Sequence, residues 1–259
     1  MSKKEYIKDK EIYYKDTAVV EEYLNYAKTI LGEDMSAQAK KMNINLRLIL
    51  LSLLFSNGKR IVFEDVVSQL AGIKGSLVAY DHFKKRGLKV ERETVFKNGD
   101  EIPIPVDLVF EEKNIKHLCE VKTISQILLT SKNYKLVDFT DNHGRIRREL
   151  YSFNFENRKR IFSRTGKKLL KQMENLCFYR DNHNNVEVNL IVMKNVFIDE
   201  KIKSQLKEKN INIIIVPTDI GDVFDEVTEK LEKIYLFGKK MTDNITFPTV
   251  NMAKKLKSR

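Results

Sequence analysis

The chain has 259 residues, 42% hydrophobic and 32% charged, with 47 Lys and Arg against 36 Asp and Glu and a formal net charge of +11. A chain of this size and apolar content buries a real core, which excludes wholesale disorder, and its positive balance favours polyanionic partners through a long-range field. Two cysteines, Cys119 and Cys177, stand apart without a CxxC pair, which argues against a disulfide framework or a structural zinc site.

In chain order, the first predicted element is a helix from Thr17 to Leu31, with Val19, Val20, Tyr23, Leu24, Ala27 and Leu31 at helical spacing and Gly32 as its stop. Leu46 to Leu54 reads as a buried helix. Phe63 to Leu70 and Ser76 to Arg86 read as two more, separated by Ala71-Gly72-Ile73, with Gly87 in a C-terminal capping position. The period then changes. Leu88 to Phe96 alternates, Lys97-Asn98-Gly99-Asp100 is a hairpin turn, and Ile102 to Phe110 is a second strand whose Pro103 and Pro105 confine its start to an edge or bend. Ile115 to Thr123 is a third strand. The region from Ser125 to Thr165 shows no clear period. Beyond it come a helix from Lys167 to Tyr179, a strand from Val186 to Met193, a helix from Asp199 to Lys209, a strand from Ile211 to Val216 ended by Pro217, and a helix from Val223 to Phe237.

This order predicts an α/β fold: a mixed central β-sheet flanked by helices, with a helical N-terminal region. The expected divisions are 1–74 (helical, a possible DNA-binding or dimerisation element), 75–238 (the α/β domain) and 239–259 (a basic, loose tail). No apolar run reaches membrane-spanning length. The longest, Leu46 to Phe55, is interrupted by Arg47 and Ser52, and the first residues carry no secretory signature, so the sequence predicts an intracellular, cytoplasmic protein with no membrane partner.

The chemistry concentrates in the second and third strands. Side chains alternate along a strand, so Glu120 and Lys122 share a face with Leu118, and a tight hairpin sets Asp107 beside them. Two carboxylates bind a hard divalent cation, magnesium with manganese as a substitute, and the Val121 carbonyl is a further candidate ligand. Phosphodiester hydrolysis needs such a set, with Lys122 placed to orient water or offset charge in the transition state. The competing reading is a hairpin with one solvated, charged face. The apolar run Leu118-Cys119 before Glu120 opposes it, because a buried acid and amine need a reason.

The pattern Pro105-Val106-Asp107, then Glu120-Val121-Lys122 after a hairpin-length gap, followed by helix-strand-helix-strand, resembles the PD-(D/E)xK nuclease superfamily, the restriction-endonuclease-like fold, over roughly Ser76 to Val216. The resemblance implies Asp107 and Glu120 as metal ligands, Lys122 as the catalytic lysine, and cleavage leaving a 5′-phosphate. Many members carry a glutamate on the helix before the first strand. Here Asp81 is that helix's sole acid, so it is either an outer metal ligand or a partner of Lys84 or Lys85; Glu91 and Glu93 on the first strand are other candidates. Gln172 stands where some members carry a glutamine that touches the site, and is otherwise an ordinary helix glutamine, with Lys168 one turn earlier.

Asn142 to Lys171 interleaves cations with Tyr151, Phe153, Phe155 and Phe162, as a DNA-binding segment does; Arg145, Arg147, Arg148, Arg158, Lys159, Arg160 and Lys168 are its candidate contacts, and a basic surface loop is the alternative. The sequence therefore predicts a magnesium-dependent endodeoxyribonuclease acting on DNA, with a homodimer as the candidate assembly. Two alternatives remain. One is a winged-helix DNA-binding regulator, with Lys74, Ser76, Tyr80 and Lys84 on the recognition helix and Lys97-Asn98-Gly99 at the wing tip. The other is an inactive nuclease-fold scaffold.

Overall fold

The structure, a computed structural model, describes residues 18–55, 60–96, 103–124, 126–127, 135–140, 146–151 and 159–243. The chain divides into two compact units, residues 1–70 with 225–259, and residues 71–224. The grouping is not linear along the sequence: residues from Asp225 onward return to the first unit, where the sequence suggested boundaries after 74 and 238.

The first unit is helical. Helix α1 (Ala18–Leu31) buries Val20, Tyr23, Leu24, Ala27 and Leu31, the stripe expected from its spacing. Gly32 follows with φ +88°, a left-handed conformation that suits glycine and turns the chain into α2 (Glu33–Lys41). Helix α3 (Leu46–Leu54) is capped by the Asn45 side chain, which accepts from the Leu48 N–H at 3.1 Å. The Tyr23 hydroxyl donates to the Leu50 carbonyl at 3.1 Å, joining α1 to α3 and satisfying a buried phenol.

Helix α4 (Arg60–Lys85) is continuous. The two helices expected over Phe63–Leu70 and Ser76–Arg86 are one, because isolated glycines at 72 and 75 cost a helix only about 1 kcal/mol each and tertiary packing outweighs that. The turn that the winged-helix reading placed at Ala71-Gly72-Ile73 is helix.

The second unit is built on a five-stranded mixed sheet, formed by β1 (Val90–Phe96), β2 (Ile104–Glu112), β3 (Ile115–Lys122), β7 (Val186–Lys194) and β9 (Ile211–Asp219) in the order β1-β2-β3-β7-β9. The first three strands are antiparallel neighbours, and β3, β7 and β9 run parallel. The short β4 (Gln126–Ile127) pairs with β8 (Phe197–Ile198), and β5 (Lys135–Thr140) pairs with β6 (Ile146–Tyr151) in a separate hairpin, within the stretch where the sequence showed no period. Pro217 lies inside β9, not after it; β9 is an edge strand, where a missing N–H is tolerated.

Both faces of the sheet are buried, which explains why β7 reads as an almost unbroken apolar run. One face, with Val106, Leu118, Val188 and Leu190, packs against Leu169, Met173 and Leu176 of α5 (Lys159–Asp181) and Ile202 and Leu206 of α6 (Glu200–Glu208). The other, with Leu108, Phe110, Cys119, Val121 and Ile191, packs against Ala79 and Phe83 of α4 and Ile220 and Val223 at the start of α7 (Ile220–Asp243). Helix α5 begins eight residues earlier than the apolar spacing predicts, at Lys159, since its first turns carry cations and not a hydrophobic stripe. Helix α7 likewise continues to Asp243, past the expected start of the tail; residues 244–259 lie outside the described set. Among the described residues, no helix is long and apolar enough to cross a membrane.

Candidate active site

The site forms where β2 and β3 part. Their ladder ends at Leu108↔Cys119, and beyond it the Val121 N–H is taken by the Asp107 carboxylate at 2.7 Å. Asp107 also marks a slip in alternation. Val106 belongs to the core under α5, yet Leu108, two positions on, belongs to the core under α4. The strand must twist at Asp107 for this to happen, and the aspartate emerges at the twist. Across from it on β1, between the pairs Arg92↔Leu108 and Thr94↔Val106, Glu93 adopts φ +54°, a left-handed conformation costly for a residue with a Cβ. The irregularity thus spans both strands without a change of register, since the pairs on either side keep the same offset.

Glu120 and Lys122 stand on the same face as Leu118, and their side chains form an ion pair. Glu120 is 4% exposed and the Lys122 side chain 22% exposed, so the carboxylate is inside the protein and the amine reaches toward the surface. Burial and the nearby charge of Glu120 push the Asp107 carboxyl from its ordinary 3.8 up to about 7, against the opposing pull of the Val121 N–H and Lys122; Glu93 adds a smaller upward push. Asp107, Glu120 and Lys122, which the sequence singled out, are therefore electrostatic neighbours. Two carboxylates share one ammonium, and the arrangement is short of positive charge.

The donor set fits a hard cation: two carboxylates lie close in a buried setting where burial and the charge of Glu120 raise Asp107 to about 7. The carbonyl of a strand residue leaves the backbone on the same side as its N–H, so that of Val121 faces the opening beside Asp107. Among the described residues, no three His, Cys, Asp or Glu side chains group closely enough to hold a metal by themselves.

The remaining candidates are distributed as follows. Asp81 is exposed on α4, and Asp107 feels Glu93, not Asp81, as its second acidic neighbour after Glu120. Glu91 is exposed on β1. Gln172 lies on α5, the helix that covers the Glu120 face of the sheet; its Oε1 is buried and has no hydrogen-bond partner among the described residues. Lys168, one turn earlier, is exposed. Arg147 and Arg148 fall in β6, in register with Phe139 and Asp138 of β5, and Lys159 and Arg160 open α5. Arg145 and Arg158 lie outside the described residues. His117 points away from Glu120 and stacks on Phe110, with ring centroids 4.6 Å apart, as a packed residue does.

The sequence places a helix over Ser76 to Arg86 but does not show the contact that fixes it against this end of the sheet. Gly75 of α4 lies against Thr123, directly after Lys122; a Cβ built on Gly75 would fall 1.8 Å from Thr123 Oγ1. The signal was present, since an isolated glycine inside a helical pattern often marks close packing.

No protein-family profile matches the chain, and no curated protein matches it. Among solved structures, a crystal structure of a protein of unknown function, AF1548, is similar at 14% identity over 71% of this chain and 96% of that one, with a TM-score of 0.33. A likeness of that degree carries no weight for fold family or function.

Proposed function

We propose that this chain is a divalent-metal-dependent endonuclease with a restriction-endonuclease-like core, hydrolysing phosphodiester bonds in DNA. The observation that carries the reading is the pair of carboxylates, Asp107 and Glu120, brought together with Lys122 at the end of β3, where burial and mutual repulsion push Asp107 up to about 7. Strained electrostatics of this kind gather at functional sites more often than in structural ion pairs. The strand order, three antiparallel strands followed by two parallel ones, suits the same fold, and the net charge of +11 suits a polyanionic substrate.

In this reading Asp107, Glu120 and the Val121 carbonyl hold magnesium. A cation so placed supplies a Lewis acid that acidifies water and offsets charge on the phosphate. Glu120 fixes the Lys122 ammonium, whose three N–H donors orient the attacking water or stabilise the phosphate oxygens as charge builds. The Gln172 carboxamide, whose buried oxygen has no partner among the described residues, accepts a hydrogen bond from the water or donates one through its amide to a phosphate oxygen. Asp81 is not among the charges that shift Asp107; Glu120 is the main one, with a smaller push from Glu93.

The regulator reading loses its helix-turn-helix to the continuity of α4. Plasmid nicking is the test: the wild type cuts in Mg²⁺ and not in EDTA, and Asp107→Ala folds without cutting. Intact plasmid with folded wild type under all divalent ions tried would leave only the scaffold reading.

A further inference from the structure

The helical unit contains a cleft of about 400 Å³ that the nuclease chemistry does not use. Three helices converge on it. Lys28 comes from the last turn of α1, Lys40 from the last turn of α2 and Arg47 from the first turn of α3, with Asn45 at the rim and the buried Leu24 and Leu50 at the floor. No acidic residue lines it, although the chain carries 36 acids.

Each lysine has an ordinary explanation by itself, since cations at helix C-termini meet the negative end of the dipole. That explanation does not cover why both open onto one cleft with a guanidinium and no carboxylate in the lining. Among the described residues, neither Lys28 nor Lys40 has an ion-pair partner. Arg47 bonds Glu21 at 3.0 Å, so the cations of the lining without an ion-pair partner among the described residues are the two lysines. Two like charges facing one concave surface repel each other until an anion enters, and low-dielectric walls concentrate their field.

We propose that this cleft binds backbone phosphates of a DNA duplex, giving the helical unit its own hold on the substrate. The identity of the polyanion rests on the nuclease reading; the phosphate chemistry follows from the lining. Lysines act here as point charges on adjacent phosphates, and such contacts give affinity and salt dependence without sequence preference.

The test uses the full chain, a fluorescein-labelled 20-base-pair duplex and EDTA, so that binding is read without cleavage. Anisotropy titrations over a series of KCl concentrations compare wild type, Lys28→Gln/Lys40→Gln, and the equally charged control Lys201→Gln/Lys207→Gln on the exposed side of α6. The expected result is a fall of about 2 in the slope of log affinity against log salt and about tenfold weaker binding for the cleft variant, with the control near wild type. Lys28→Arg/Lys40→Arg should bind as wild type, which separates loss of charge from loss of fold. A slope equal to wild type or to the control overturns the proposal. So does a thermal shift with inorganic phosphate that the cleft variant abolishes while duplex binding stays unchanged, since the cleft would then serve a free anion. A reduced slope in a protein that never nicks plasmid keeps this proposal and removes the nuclease reading; normal nicking with an unchanged slope does the reverse.

Discussion

Gly75 and Thr123 are in closer contact than any other residue type at position 75 would permit: the nearest Thr123 atom is 1.8 Å from where a Cβ would sit. An alanine in a helix interior is ordinarily favoured over glycine by about 1 kcal/mol. Here the clash outweighs that preference, because Thr123 follows the last residue of β3 and its Cβ, Cγ2 and Oγ1 all lie within 2.7 Å of the added carbon. Gly75→Ala is therefore expected to destabilise by about 1–3 kcal/mol and to reduce nicking by displacing the strand end that carries Lys122. Combining it with Thr123→Ala should recover part of the loss. Thermal unfolding and nicking of the two single variants and the double variant check this, and a Gly75→Ala protein more stable than wild type would disprove the contact.

Asp107 links the site to stability. Its carboxyl is raised in the folded protein from 3.8 to about 7, so the folded state keeps a proton that the unfolded chain releases. Below about pH 4 both states are protonated and nothing is lost. Between about pH 4 and 7 the unfolded state binds fewer protons, so stability falls as pH rises, and above about 7 the full penalty stands. In EDTA, Asp107→Asn should remove this fall and melt above wild type at pH 8, since the Asn oxygen still accepts from the Val121 N–H. Magnesium should raise the melting temperature of wild type and leave that of the variant unchanged. Superimposable pH profiles of the two proteins in EDTA would contradict the raised carboxyl.

The sheet and its site were legible in the sequence to different degrees. Strands β7 and β9 announced themselves by apolar runs, and β1 and β2 by alternation on either side of an Asn98-Gly99 turn signal that lies outside the described residues. Face-sharing of Glu120 with Lys122 follows from a period of two. What was not legible depends on tertiary packing. Nothing local tells that α4 runs unbroken through Gly72, since what holds it is Ala71, Ala79 and Phe83 against the sheet. The slip at Asp107 is invisible for the same reason: it shows only when Val106 and Leu108 are assigned to opposite cores. The basic cleft is built by three helices, and no linear motif links Lys28, Lys40 and Arg47.

Removing Lys122 tests the buried pair. Glu120 is 4% exposed, so in EDTA a Lys122→Met variant leaves a carboxylate inside without its ammonium. Breaking a fully buried pair costs about 3–5 kcal/mol, and the partial exposure of Lys122 scales this to about 1–3 kcal/mol. Glu120→Gln/Lys122→Met should recover most of that stability, while nicking falls by at least about 100-fold in both variants. A double variant as unstable as Lys122→Met would mean that the lysine acts through its packing.

Gln172 separates function from folding most sharply. Its Oε1 is buried without a partner among the described residues, and an unsatisfied carbonyl costs about 1–3 kcal/mol. Leucine has similar bulk, and its neighbours on the buried stripe of α5 include Leu169 and Leu176. Gln172→Leu is therefore expected to melt at or above the wild-type temperature and, on the proposed role of its carboxamide, to nick about tenfold more slowly. Gln172→Glu should add a third acid to a site already short of cations, lowering stability in EDTA and regaining it in magnesium. Melting curves with and without Mg²⁺, alongside nicking rates, decide the matter: a Gln172→Leu protein that unfolds earlier and cuts normally would make the glutamine a packing residue and nothing more.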